Sequence, residues 1–294
     1  METVKRALAL YGAPVYVRKQ IVHNSHVVRE LEQGGAVFVD SVHDVPEGSP
    51  VVFSAHGVAP AVRSAADERS LTTIDATCPL VTKVHTQARR YAERGYSIVL
   101  IGHAKHEEVE GTTGEAPEAI ALVQSAEEAE HVALSGDRIA YITQTTLSVD
   151  ETHEIIDVLR RRFPHIEGPA REDICYATSN RQWAVKELLG EVDLLLVVGS
   201  HNSSNSLRLV EVAHAAGVPA HLVDDASEID ERWLAGVTVV GVTSGASAPE
   251  RLVLGVCDWF RARGVLEIDE FRSAFEDVVF RLPVELRRAE RSAA

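Results

Sequence analysis

Two of the three cysteines stand where helices begin, and their surroundings repeat. Cys78 follows an apolar, Thr-rich run over 71–75 that reads as a strand entering a tight turn. Pro79 occupies the first helical position, where its missing N–H costs nothing. A thiol at that place meets unpaired backbone N–H groups and the positive end of the helix dipole. Both favour thiolate, the form that ligates metal or attacks. Taken singly, such a cysteine is more often a small buried hydrophobe. Repetition turns the balance. Cys175 also comes just past an Asp and before a helical pattern, and each cysteine precedes a loop glycine, Gly102 or Gly199, by 24 residues. Each interval holds an amphipathic helix and an apolar strand, 97–101 in one and 194–198 in the other, which is an internal repeat.

Polar loops supply the other candidates. His23 lies in 21–26, His56 after a strand at 51–54, and His106 and Glu108 in 102–111. Thr145 lies in 143–146, Ser203, Ser204 and Asn205 in 199–206, and Ser247 in 243–249. His, Ser, Asn and Thr are suited to donating hydrogen bonds to an anion, but the Gly-Lys-Ser/Thr pattern of a P-loop is lacking. Two thiols and two imidazoles could also take zinc, although no Cys-x-x-Cys pair supports a structural zinc site. Glu108 is the loop acid placed like a proton donor; the plainer alternative is a solvated charge. A single loop histidine is ordinarily a surface residue. The agreement of three units singles out His23, His56 and His106 as a group, while His26, His43, His131 and His153 read as ordinary. Cys257 falls within a helical pattern beside Leu252, Val253 and Trp259 and reads as packing.

These loops need elements to position them. Strand-like runs at 15–18, 36–39 and 51–54 recur as 97–101, 120–123 and 139–142, and again as 194–198, 221–223 and 237–242, with helical patterns between. A smaller echo marks the register: Ser41, Ser125 and Asp225 each stand three residues before an acid, a capping-box spacing. The expected fold is α/β, three pseudo-repeated domains with mainly parallel sheets. In such sheets function gathers beyond the carboxyl ends of the strands, so the loops should face a common centre. The opening helix, with Val4, Ala7, Leu8 and Tyr11 along one side, stops at Gly12 and has no capping residue at its start. Stepping the repeat backwards places a strand, a turn and a third cysteine before Met1. The expectation is therefore a first domain truncated at its N-terminus and lacking an inner strand.

Composition bounds the partners. The 294 residues are 45% hydrophobic and 5% aromatic, so a large core must be built mostly from Val, Leu, Ala and Ile. A formal charge of −15 argues against nucleic acid as a partner. No apolar run approaches the roughly 20 residues that span a bilayer. Charges at Glu2, Lys5 and Arg6 interrupt any signal-like segment. Three cysteines suit a reducing compartment, and a cytoplasmic location is expected.

The segments VYVRKQIVHN, FSAHGV, DATCPLVTKVH, IGHAKHEEVEGT, TQTTLSVD, EDICYATSNRQ, VVGSHNSSNSLRL and TSGASAP resemble those of the LytB-type 4-hydroxy-3-methylbut-2-enyl diphosphate reductases. The resemblance covers essentially the whole chain. It implies a cloverleaf of α/β domains, here 1–77, 78–174 and 175–270, with a tail at 271–294 packing back on the first. At the centre it implies a 4Fe–4S cluster held by three cysteines, with Cys78 and Cys175 matching two of them. His23, His56, His106, Ser203, Ser204, Asn205 and Ser247 match its diphosphate pocket. Glu108 matches the proton donor and Thr145 the residue that works with it, His106 standing beside them. Ferredoxin or flavodoxin would supply electrons. The family's first cysteine, in a Gly-Phe-Cys-Ala-Gly-Val-like turn, has no counterpart in this sequence. Two other classes remain: a cluster-free isoprenoid-diphosphate-binding protein, and a zinc hydrolase using Cys78, Cys175 and a histidine.

Overall fold

The computed structural model describes residues 1–273 and 278–293. The first lobe runs α1 (Glu2–Tyr11), β1 (Val15–Arg18), α2 (Ser25–Gln33), β2 (Ala36–Val39), β3 (Pro50–Phe53), α3 (Pro60–Glu68) and β4 (Thr72–Asp75). The second runs α4 (Pro79–Glu93), β5 (Ser97–Ile101), α5 (Glu107–Thr113), β6 (Ile120–Val123), α6 (Ala126–His131), β7 (Ile139–Thr143) and α7 (Val149–Arg162). The third runs α8 (Tyr176–Leu188), β8 (Leu194–Val198), α9 (Ser204–Ala215), β9 (Ala220–Val223), β10 (Val240–Ser244) and α10 (Glu250–Arg261), followed by α11 (Val284–Ala293). The sheets are ordered β2-β1-β3-β4, β6-β5-β7 and β10-β8-β9, and all these strand pairings are parallel. Three lobes of α/β structure are therefore present, as the repeat requires.

Strands covered on both faces should be continuously apolar, and β8 is: all five of its residues are buried. Alternate residues serve opposite cores. Leu194, Leu196 and Val198 join one apolar cluster, Leu195 and Val197 the other. The second sheet divides in the same way, with Val99 and Ile101 on one face and Ile98 and Leu100 on the other. Leu286 of α11 is buried in the core of the first sheet beside Val4, Val17 and Ile74. The tail expected over 271–294 includes 274–277 and 294, which lie outside the described residues. No helix among the described residues is long and apolar enough to cross a membrane.

The capping echo is real. Ser41 and Asp44 form a reciprocal capping box, Ser125 Oγ accepts from Glu128 N, and Asp225 caps the turn that contains Glu228. One strand begins later than the apolar pattern suggests. Thr238 and Val239 turn their N–H groups to the Asp193 carboxylate, so the ladder of β10 opens at Val240 opposite Leu194.

The first sheet has no gap, which corrects the expectation that it lacks an inner strand. The reason lies in how the repeat is phased. β4 completes the first sheet, yet the turn after it delivers Cys78 to the start of α4 in the second lobe. In the second lobe Glu167 takes the equivalent place, bridging in parallel to Ala140 beside β7, and the chain then proceeds to Cys175 at the start of α8. The matching edge of the third sheet, beside β10, carries no strand among the described residues. β10 is accordingly less covered: only Gly241 is buried, against four residues of β7.

Candidate active site

Every candidate side chain follows the carboxyl end of a strand, and the lobes turn these ends toward one another. Cys78 stands at the N-cap position of α4, and its N–H is anchored on the Ala55 carbonyl next to His56. Cys175 caps α8 with its sulfur, which accepts from Thr178 N at 3.3 Å and lies 3.0 Å from Thr178 Oγ1; its own N–H bonds to the Thr145 carbonyl. The thiols are near enough for Cys175 to feel the charge of Cys78, and both feel Glu108. The N–H donors expected at the helix starts are present and favour thiolate. Burial outweighs them and raises both thiols above their ordinary range. A bound cation would reverse that balance.

Glu108 is 1% exposed. Thr145 grips it twice, through its N–H to Oε1 at 2.6 Å and its hydroxyl to Oε2 at 2.9 Å. Burial pushes the carboxyl up to about 7 against the downward pull of these bonds. This acid therefore still carries a proton near neutrality.

The imidazoles form a second group. His23 stacks on His56 with centroids 4.2 Å apart, and His106 meets them edge-on at 5.6 and 5.7 Å. His106 caps α5, its Nδ1 accepting from Glu108 N. Burial, then repulsion from His56, holds His23 down at about 4 and His106 at about 3. Both are neutral hydrogen-bonding groups at pH 7.

The third lobe closes the ring. Ser203 caps α9, and its hydroxyl lies 3.0 Å from that of Ser206. Ser206 is packed so tightly that a Cβ on Gly199 or Gly245 would strike it, which explains both glycines. Ser204 Oγ reaches Thr146 and Gln144 of the second lobe. Asn205 bridges Thr178 Oγ1 and Ala246 N, and Ser247 donates to the His23 carbonyl at 3.1 Å. Cys257 lies within α10, away from these contacts. All the candidates other than Cys257 thus fall into one connected network at the junction of the lobes.

Several members escaped the sequence reading. Glu107 lies 3.1 Å from His56 Nδ1; it is one of three acids in the first turn of α5, a position whose ordinary signal is only the helix dipole. Asp173 is buried, accepts from Thr143 N and pairs with Lys83 of α4 at 2.9 Å. His85 sits beneath both histidine loops, its Nδ1 at 2.7 Å from Glu115 Oε1. Gly57 needs both its positive φ of 83° and its missing side chain, because a Cβ there would lie 2.9 Å from the His85 ring. Gly57→Ala is expected to cost about 1–3 kcal/mol, read as a lower thermal midpoint.

His23, His56 and Glu107 bring ligand atoms within 4.8 Å of one another, which raises the question of a metal. Two imidazoles that share an ion aim in-plane lone pairs at one point, so their ring planes converge on it. Stacked rings only 23° from parallel do not. The start of α9, capped by Ser203, is by contrast a place that accommodates anions.

A family model described as LytB protein matches residues 1–261. A 4-hydroxy-3-methylbut-2-enyl diphosphate reductase of Acidothermus cellulolyticus is 63% identical over 290 residues, spanning 98% of this chain and 85% of that protein. One of Nocardia farcinica is 56% identical over 293 residues, 99% and 87% of the two chains. Among solved structures, the E-1-hydroxy-2-methyl-but-2-enyl-4-diphosphate reductase from Plasmodium falciparum superimposes with a TM-score of 0.97 at 37% identity, over 99% of this chain and 93% of that one. With sequence and fold agreeing over nearly its full length, the chain belongs to the LytB family.

Proposed function

We propose that the chain is a 4-hydroxy-3-methylbut-2-enyl diphosphate reductase, removing the substrate hydroxyl as water with two electrons and two protons to give isopentenyl and dimethylallyl diphosphates. The observation that carries this reading is Glu108, a buried carboxyl still protonated near pH 7, set between two thiols and an imidazole pocket.

In this reading His23, His56 and His106, with Ser203, Ser204, Asn205 and Ser247, hold the diphosphate. Neutral N–H and O–H donors at a helix start bind phosphate oxygens without a metal ion. Hydroxide is a poor leaving group unless a proton reaches it as the C–O bond breaks. Glu108 gives that proton, and Thr145 holds the carboxyl in place. Re-protonation of Glu108 then readies the next cycle.

The donor set fits two corners of an iron–sulfur cluster: Cys78 and Cys175 would hold it, both at helix starts with N–H groups turned to sulfur. Among the described residues no third thiol joins them, since Cys257 belongs to α10. When bound, such a cluster supplies single electrons and a Lewis-acidic iron. A small redox protein of the ferredoxin or flavodoxin kind would be its electron donor. The lobe limits at 77/78 and 174/175 go with this assignment, each cysteine opening a lobe.

The test is anaerobic reconstitution with iron and sulfide, followed by a reductase assay with a chemical electron donor and mass-spectrometric detection of product. Isopentenyl and dimethylallyl diphosphates are expected. A protein that takes up iron and sulfide and binds substrate, yet forms neither product, would overturn the reading.

A further inference from the structure

Cys78 and Cys175 reach the junction on different supports, and something must set the distance between them. Cys78 opens α4, a regular helix packed through Val84 and Ala88 on one face of the second sheet. Cys175 ends an irregular run: among the described residues, 168–174 make no main-chain hydrogen bond. Ile174 anchors that run in the core on the opposite face, beside Val149 and Ile155. Apolar packing therefore ties the two approaches to different cores. Lys83 crosses between them. It stands five residues after Cys78 on α4. A lysine ammonium has three N–H donors, and three oxygens from three successive residues surround this one. They are the Arg171 carbonyl at 2.7 Å, the Glu172 carbonyl at 2.9 Å and Asp173 Oδ1 at 2.9 Å. Asp173 Oδ1 is buried with no other partner, while Oδ2 accepts from Thr143 N at 3.1 Å. A buried carboxylate depends on its countercharge, which sets this pair apart from the exposed ones.

We propose that Lys83 and Asp173 are positioning residues, together setting Cys175 at its distance from Cys78 so that both sulfurs reach one bound group. The inference rests on the reading of the two thiols as ligands of a single cluster. Two sulfurs held at a fixed separation capture a metal as a chelate, because the second bond forms within one molecule at high effective concentration. Without the clamp, the metal itself would have to order 171–173, at a cost in conformational entropy. Partners behind a ligand commonly carry about 10- to 100-fold of metal affinity.

Cadmium is the probe, since its sulfur-to-metal absorption reports thiolates and not imidazoles. It is titrated anaerobically into the cluster-free full chain carrying Cys257→Ser, which leaves Cys78 and Cys175 as the thiols. Adding Lys83→Met keeps the apolar stem and removes the ammonium, and cadmium affinity should fall about 10- to 100-fold. Cys78 itself should be undisturbed: its rate of alkylation by iodoacetamide, measured with Cys175→Ser in place, should be the same with and without Lys83→Met. Unchanged cadmium affinity overturns the proposal. So does faster alkylation of Cys78, which would make Lys83 a support of α4 at large. Asp173→Asn can still accept from Thr143 N and removes the charge facing Lys83, so it carries the same comparison should Lys83→Met not fold. A parent chain that shows no two-sulfur absorption with cadmium overturns the shared site, and the cluster assignment with it.

Discussion

Glu108→Gln should lower turnover by about 100- to 10,000-fold, the usual worth of a positioned general acid, with a much smaller change in substrate affinity. The amide is nearly isosteric. It can still accept the Thr145 N–H, so the pocket should keep its shape, but it has no acidic proton to give. Steady-state kcat and KM, measured separately, check this split. Wild-type turnover should also decline as pH rises through about 7, where Glu108 loses its proton. The variant's residual activity should lack that inflection.

The same shift has a consequence for stability. An exposed glutamate ionises near 4.5, whereas folded Glu108 keeps its proton to about 7. Between those values the native state binds more protons than the unfolded chain, so this group's contribution to stability falls as pH rises. Above 7 the loss is complete. Glu108→Gln has no such slope, and its melting temperature relative to wild type should rise from pH 5 to pH 8. A site that trades stability for chemistry behaves in this way.

Cys78→Ser and Cys175→Ser should each remove nearly all cluster iron and sulfide after anaerobic reconstitution. Losing a ligand costs more than the roughly 10- to 100-fold lost with an outer-shell partner. Serine isolates the role of sulfur. At Cys175 the side chain already caps α8 through Thr178 N, and serine is among the best residues for that duty, so the fold should survive. Cys257→Ser, within α10, should keep the iron content of the wild type. Iron and sulfide analysis of the three variants side by side decides the point.

Much of this site was legible in the sequence because strand ends and helix starts leave local marks. The apolar run of β8, the Cys-Pro start of α4 and the spacing from each cysteine to its loop glycine needed no long-range information. Three features did. The phase of the repeat was misread, since nothing local says that β4 pairs with one lobe while launching the next. The state of the thiols was misjudged because helix N–H donors can be inferred from position, whereas the burial that outweighs them belongs to the assembled junction. Glu107 and the Asp173–Lys83 pair were missed because their partners arrive from other elements.

The handover of strands also decides where the molecule can yield. Lobe two is tied to lobe one by the main-chain bond from Cys78 N to the Ala55 carbonyl, and lobe three to lobe two by that from Cys175 N to the Thr145 carbonyl, and a rigid swing would have to break them. The boundary between lobes three and one is sewn differently. Ser247 to His23, Ser25 to Asp224 and Ser200, and His26 to Asp225 all depend on at least one side chain, and Arg251 reaches Glu30 at the surface. Side chains can rotate and re-form such contacts at little cost. Among the described residues, the seam flanked by His23 and Ser247 is thus the boundary at which the lobes can shift without breaking a main-chain hydrogen bond.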